Sequence, residues 1–179
     1  ITFRTAGFAS LDQACLTDPS KLIGSVLMFV GTSSASTGGG VKTTTAALLA
    51  LVVVQVVRGH ERITVFGREI SADTARRAVT IVLIALAAIL VSTCVISVIE
   101  RGRGHDFLDL LFETTSAFST TGLSSVNTTT LTPASQWLLM PLMYFGRVGP
   151  LTLAYALANR LESRRANRVH YPEEKIMIG

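Results

Sequence analysis

The sequence predicts an all-α integral membrane protein, and three observations lead there. Of 179 residues, 49% are hydrophobic and 16% charged, with a mean hydropathy of +0.48. An ordinary soluble domain carries about a quarter charged residues, so this chain lacks the charge for a soluble surface. Ala78–Ile99 is a run of 22 uncharged residues, and a membrane-crossing helix needs ~20. Finally, a polar turn with a glycine is followed twice by an apolar stretch, in two copies of one pattern.

The elements follow in order. Pro19–Val57 reads as a span broken in its middle by GTSSASTGGGVKTTT, residues 31–45. Residues 58–77 form a polar loop, HERITVFGREISADTARRA in its main part, with Ser71 and Asp73 as candidate caps. An outer helix covers 78–99. Thr114–Gly146 holds 33 uncharged residues, too many and too rich in Ser, Thr and Gly for one helix. It divides into a short apolar helix over 107–118, a polar turn over 119–124 and an inner helix over 133–159, with Trp137 as an interfacial anchor.

Basic residues set the orientation. Arg58, Arg62, Arg68, Arg76 and Arg77 follow the first span, and Arg160, Arg164, Arg165, Arg168 and Lys175 follow the last. These are ten of the sixteen Lys and Arg, and both segments are assigned to the cytoplasm. The C-terminal tail, 160–179, is then cytoplasmic in a multi-pass protein of the cell membrane. The net charge of +4 bears on this topology, and no nucleic-acid partner is expected. Cys15, Cys94 and three His residues at 60, 105 and 170 have no metal spacing, and Cys94 reads as a small packing residue.

The repeat is the most informative feature. Phe3–Gly31 aligns without gaps on Phe118–Gly146, an offset of 115. Phe3, Thr5, Gly7, Ser10, Leu16, Thr17, Ser20, Leu27, Met28 and Gly31 are identical to their counterparts. In the second copy the order is short helix, tight F-x-T-x-G turn, inner helix. Non-helical backbone at membrane depth is tolerated only where protein buries it or water bathes it. A glycine turn lined by threonines is suited to aim main-chain oxygens at a dehydrated cation. An ordinary turn between helices is the plain alternative.

GTSSASTGGGVKTTT superficially suggests a phosphate-binding loop. That motif requires G-x-x-x-x-G-K-[ST]. Here Lys42 follows Val41, and the position five before Gly40 is Ala35, so no bound nucleotide is expected. Gly31, Gly38, Gly39 and Gly40 each cost about 1 kcal/mol in a helix relative to Ala. The stretch therefore reads as a break in the inner helix, facing the pore rather than lipid; a passive kink is the alternative. The 115 offset pairs Thr32 with Arg147, a lone guanidinium expected to face water or a partner.

These residues resemble the membrane subunit of Ktr-type potassium uptake systems, within the Trk/Ktr/HKT superfamily. The resemblance rests on RTAGF at 4–8, MFVG and STGGGVKTTT within 28–45, FETTSAFSTTGLS at 112–124, MYFGRVGPLT at 143–152 and the closing YPEEKIMIG. It implies a pore-loop cation transporter of four outer helix–pore helix–filter–inner helix repeats, of which this chain supplies the end of the third and all of the fourth. The implied filter is Thr5, Ala6, Gly7 and Phe8 with Thr120, Thr121, Gly122 and Leu123. The implied gate is an intramembrane loop, roughly 32–45, with Gly38, Gly39, Gly40 and Lys42, and Arg147 protrudes beneath the filter. Potassium is the transported ion, with sodium as a second candidate. The partners are a second copy of the chain, membrane lipid and a cytosolic nucleotide-binding regulatory ring of the RCK type docking near 58–77. The tail helps form the dimer interface.

Other residues are read more modestly. Glu113 holds the pore helix through backbone amides near the filter, or binds a cation. Asp106 and Asp109 cap that helix. The function expected is gated potassium translocation, not enzymatic turnover. A secondary carrier with broken helices and a non-transporting assembly subunit are the rivals.

Overall fold

A computed structural model describes residues 6–9, 12–33, 38–58, 64–65, 68–69 and 72–149. Five helices carry it: α1 (Asp18–Phe29), α2 (Thr43–Val57), α3 (Ala72–Ile99), α4 (Phe107–Ser119) and α5 (Pro133–Val148). Thr64–Val65 (β1) and Arg68–Glu69 (β2) pair antiparallel between α2 and α3. Among the described residues this small hairpin and an isolated parallel bridge between Val30 and Val41 depart from an all-α reading, and the hairpin lies in the loop expected to be simply polar. Ser71 lies outside the described residues, and Asp73 sits within α3.

Among the described residues one helix is long and apolar enough to cross a membrane, Thr74–Ile99 of α3. Only 22% of its most apolar stretch is buried within the chain. Leu83, Leu86, Leu90, Val91, Val95 and Val98 all face outward. A core helix of a soluble protein would bury such residues, so α3 presents them to lipid or to further protein. The helix starts at Ala72, earlier than the expected 78, because Ala72–Ala78 contains strong helix formers that continue the run into the polar loop.

The broken span is two short helices, α1 of 12 residues and α2 of 15. Neither alone crosses a bilayer. α5, the start of the inner helix expected over 133–159, runs to Val148 among the described residues. Gly149 takes φ +91°, and Pro150 follows it. Proline disfavours helical geometry in the residue before it, which stops the helix there. Residues 150–159 and the tail 160–179 lie outside the described residues.

α4 is the centre. From Phe112 to Ser119 every residue is buried, against α1, α3 and α5. Phe118, Leu110, Ile89, Ile96, Leu139 and Leu142 form the main core, while Phe112 packs with Met28 and Leu123 in a second cluster. Its hydroxyls are bonded too: Thr115 Oγ1 donates to the Leu111 carbonyl at 2.7 Å and Ser119 Oγ to the Thr115 carbonyl at 2.8 Å. Thr93 of α3 and Thr114 of α4 share a buried hydroxyl pair at 2.7 Å. Gly146 lets α5 lie directly on the end of α4. A Cβ built at Gly146 would stand 1.7 Å from the Phe118 carbonyl oxygen.

The repeat is visible in backbone detail. Short 3-10 turns occupy Gln13–Cys15 and Thr128–Thr130, 115 residues apart. Asp12 caps the first by accepting from the Ala14 amide, and Asn127 caps the second from the Thr129 amide. Thr17 and Thr132 then start α1 and α5, each with its hydroxyl 2.9 Å from that of the serine three residues on. Sequence similarity at this offset is therefore a repeated local structure.

Candidate functional site

The two glycine turns meet. Gly7 has φ +49° and Gly122 φ +82°, a region only glycine adopts freely. A Cβ on Gly7 would lie 2.5 Å from the Thr121 carbonyl oxygen and 3.6 Å from the Gly122 Cα. Residues 115 positions apart are thus in main-chain contact, and a side chain at Gly7 would separate them. Thr5 lies outside the described residues. Phe8 is 81% exposed, whereas Thr121 and Leu123 are buried. Thr120 takes φ 54° and ψ 35°, the left-handed region, and is the only non-glycine to do so among the described residues. Its amide and that of Thr121 return to the Ala117 and Ser116 carbonyls, ending α4.

The turn after Gly122 is held by carboxylates. Glu113 accepts from Ser124 Oγ at 2.8 Å and from Thr128 Oγ1 at 3.0 Å, with the Ser125 and Val126 amides adding to its hydrogen bonding. Four residues earlier on the same helix, Asp109 accepts from Ser125 Oγ and pairs with Lys21 Nζ at 2.6 Å. Asp109 was expected to cap α4 and favour its positive N-terminus, and it does lie in the first turn, but it makes no cap. It instead joins that helix to α1, because Lys21 lies buried in the first turn of α1 and needs a counter-charge. Asp106 is at the N-cap position, but its side chain makes no capping hydrogen bond. A cavity of about 290 Å³ opens beside this turn, lined by Glu113, Thr120, Gly122, Ser124, Thr128 and Met143 among others.

The glycine loop lies against the other side of the same turn. The Val41 amide donates to the Phe29 carbonyl and the Gly31 amide to the Val41 carbonyl, closing the loop at its neck. Gly31 and Gly39 pack so closely that a Cβ on Gly31 would stand 2.3 Å from the Gly39 oxygen. The Gly39 amide donates to Thr120 Oγ1 at 3.0 Å, and Lys42 Nζ donates to the Gly38 carbonyl at 2.7 Å. Gly40, at φ +82°, passes against Gly31. Residues 34–37 lie outside the described residues. Arg147, in the last turn of α5, is exposed and makes no hydrogen bond or ion pair among the described residues.

A further carboxylate, Glu100, was not singled out by sequence reasoning. It follows α3 directly and is 3% exposed. Its Oε1 accepts from the Thr132 amide at 2.8 Å and from the Thr132 and Ser135 hydroxyls at 2.6 Å each. Burial alone would push its carboxyl up. The hydroxyls of Ser135 and Thr132, the Thr132 amide and nearby Arg103 outweigh that and hold it below the ordinary value. Glu100 thereby fastens the start of α5 to the end of α3. Lys21 was missed as well; its signal was a lysine in the first turn of a helix, against the dipole.

The chain is similar to known proteins. Residues 1–169 match the TrkH family, described as cation transport protein. The chain is 35% identical to Ktr system potassium uptake protein D of Bacillus subtilis, over 98% of its own length and 38% of that protein's. It is 36% identical to the potassium/sodium uptake protein NtpJ of Enterococcus hirae, over all of this chain and 40% of that one. The crystal structure of the potassium transporter TrkH from Vibrio parahaemolyticus superposes with a TM-score of 0.71 at 22% identity, covering 87% of this chain and 35% of that one. The chain thus spans about two fifths of the length of the curated relatives named. An outward apolar helix packed on buried hydroxyl-rich helices and glycine turns is the fold of a helical membrane transport protein. The chain belongs to the TrkH cation transport protein family.

Proposed function

We propose that this chain forms part of the pore of a potassium uptake system, and that the Gly7 and Gly122 turns are two segments of its ion filter. The supporting observation is the main-chain contact of the two turns. Equivalent backbone bends, 115 residues apart and both built on left-handed glycines, stand side by side. Two such bends arranged about one axis place carbonyl oxygens around a cation and replace its water. Thr5, Ala6, Gly7 and Phe8 with Thr120, Thr121, Gly122 and Leu123 supply the filter. Potassium is the ion, as in the names of the relatives, and sodium is the competing one.

The glycine loop is the gate in this reading. Its neck is closed by backbone hydrogen bonds, and its Gly39 hangs from Thr120. A helix could not offer this: four glycines within the stretch disfavour it, and the freed amides need partners inside the protein. Arg147, unpaired among the described residues, raises the barrier to cations below the filter. The resemblance to Ktr membrane subunits extends the proposal to a homodimer on a cytosolic nucleotide-binding ring.

Potassium uptake by cells lacking their own transporters tests the reading. The complete gene product should restore growth at micromolar to low millimolar potassium. Replacing Gly122 with Ala should abolish uptake while leaving the protein in the membrane. Restored growth with both Gly7 and Gly122 replaced would refute the filter assignment.

A further inference from the structure

Lys21 sits where a lysine is least welcome. It is in the first turn of α1, at the positive end of the helix dipole, and its side chain is 9% exposed. A buried ammonium persists only with a partner, and Asp109 of α4 supplies one at 2.6 Å. The oxygen of Asp109 that meets Lys21 also accepts from Ser125 Oγ. Ser125 stands three residues beyond Gly122. A chain of three residues thus runs from α1, through α4, to the turn that carries the Gly122 bend.

The repeat shows that this link is a special feature. The residue 115 positions after Lys21 is Gln136. Its Nε2 donates to the Thr128 and Leu131 carbonyls, bonds wholly within its own copy. Only the first copy exchanges this local cap for a charge that reaches into the second. Glu113, one helical turn from Asp109, holds Ser124 and Thr128 of the same turn, so the two carboxylates grip it at adjacent points. A turn held from two points cannot shift along α4 without breaking its hydrogen bonds to Asp109 or Glu113, and Lys21 fixes the Asp109 carboxylate that accepts one of them.

We propose that Lys21 is a positioning residue which, through Asp109 and Ser125, sets the spacing between the Gly7 and Gly122 bends and thereby the discrimination between potassium and sodium. The inference rests on the filter reading above. Potassium and sodium differ by a few tenths of an ångström in radius, so a displacement of that order at one bend matters to selectivity and less to maximal rate.

The test uses the complete gene product in proteoliposomes, with potassium uptake measured against competing sodium. Lys21→Gln copies the residue of the second repeat, and Ser125→Ala removes a single hydroxyl. Both are expected to raise the KM for potassium and to lower its preference over sodium about tenfold, with maximal rate within twofold of the parent. Lys21→Arg keeps the charge and should retain most of the preference. Unchanged preference in Ser125→Ala overturns the proposal, whether or not Lys21→Gln reaches the membrane. A parent protein that moves neither ion overturns the filter reading, and this proposal with it. A parent that transports selectively alongside equally selective variants removes this proposal alone.

Discussion

The amide of Gly39 donates a 3.0 Å hydrogen bond to Thr120 Oγ1, tying the glycine loop to the first residue of the Gly122 turn. Thr120 is a β-branched residue in left-handed geometry, an arrangement that costs of order 1–3 kcal/mol and survives only where the surroundings impose it. Here the end of α4, the loop and the turn impose it together. A change at one of these segments is therefore felt by the others.

Thr120→Val keeps the shape and removes the acceptor. The Gly39 amide then loses its partner, at a cost of about 1–3 kcal/mol. The expected outcome is a lower melting temperature in detergent and a faster potassium leak with the transporter at rest, while Thr120→Ser stays near the parent. Equal melting temperatures and leak rates in Val and parent proteins would show that the bond holds nothing.

Gly146→Ala separates helix propensity from packing. Propensity favours Ala in a helix interior by about 1 kcal/mol. Packing opposes it, since the new Cβ would overlap the Phe118 carbonyl oxygen at 1.7 Å. That atom is backbone at the end of a buried helix and has little room to retreat. The expected result is a protein that fails to give a monodisperse peak in size-exclusion chromatography. A melting temperature at or above the parent's would show that α5 can shift away from α4.

Glu100 predicts the acid limb of stability. Its carboxyl is held below the ordinary value by the Ser135 and Thr132 hydroxyls and the Thr132 amide, against burial. A carboxylate with a depressed folded value contributes stability above its unfolded value, and that contribution is lost as pH falls through the folded value. Melting temperature should be level from pH 7 to about 5 and fall below about pH 4.5. Glu100→Gln should start lower at pH 7 and lose part of that acid-side decline. Parallel curves for both proteins would assign the decline to other groups.

Arg147→Gln removes a cation of α5 that has no partner among the described residues, without a hydrophobic exchange. In the complete gene product it is expected to raise cation flux several-fold at unchanged protein amount, measured by rubidium uptake. Unchanged or reduced flux would argue that the guanidinium supports structure and does not form a barrier.

Much of this was legible along the chain. The uncharged run 78–99 announced α3, because a helix facing lipid needs apolar residues on all sides. FETTSAF and the glycine after it announced α4 and its turn. The 115-residue repeat was legible too, but the matching caps at Asp12 and Asn127 appeared only in the structure, because the two residues differ in type. The partners of Asp109 were not legible. Nothing near it in sequence distinguishes a cap from an ion pair, and Lys21 is 88 positions away. Glu100 looked like one acid in a mixed loop until α5 was placed over it, with Thr132 and Ser135 in reach.

By itself the sequence determined the helices, the break in the first span and the doubling of the glycine turn, because each follows from propensity and hydrophobic run length. Only the tertiary structure decided that Gly7 lies on Thr121, that Gly39 hangs from Thr120 and that Lys21 answers Asp109. Those relationships depend on how helices cross and how closely they approach. That distance is set by glycines at the crossing points and by buried charges that must find one another, not by the residues adjacent to either.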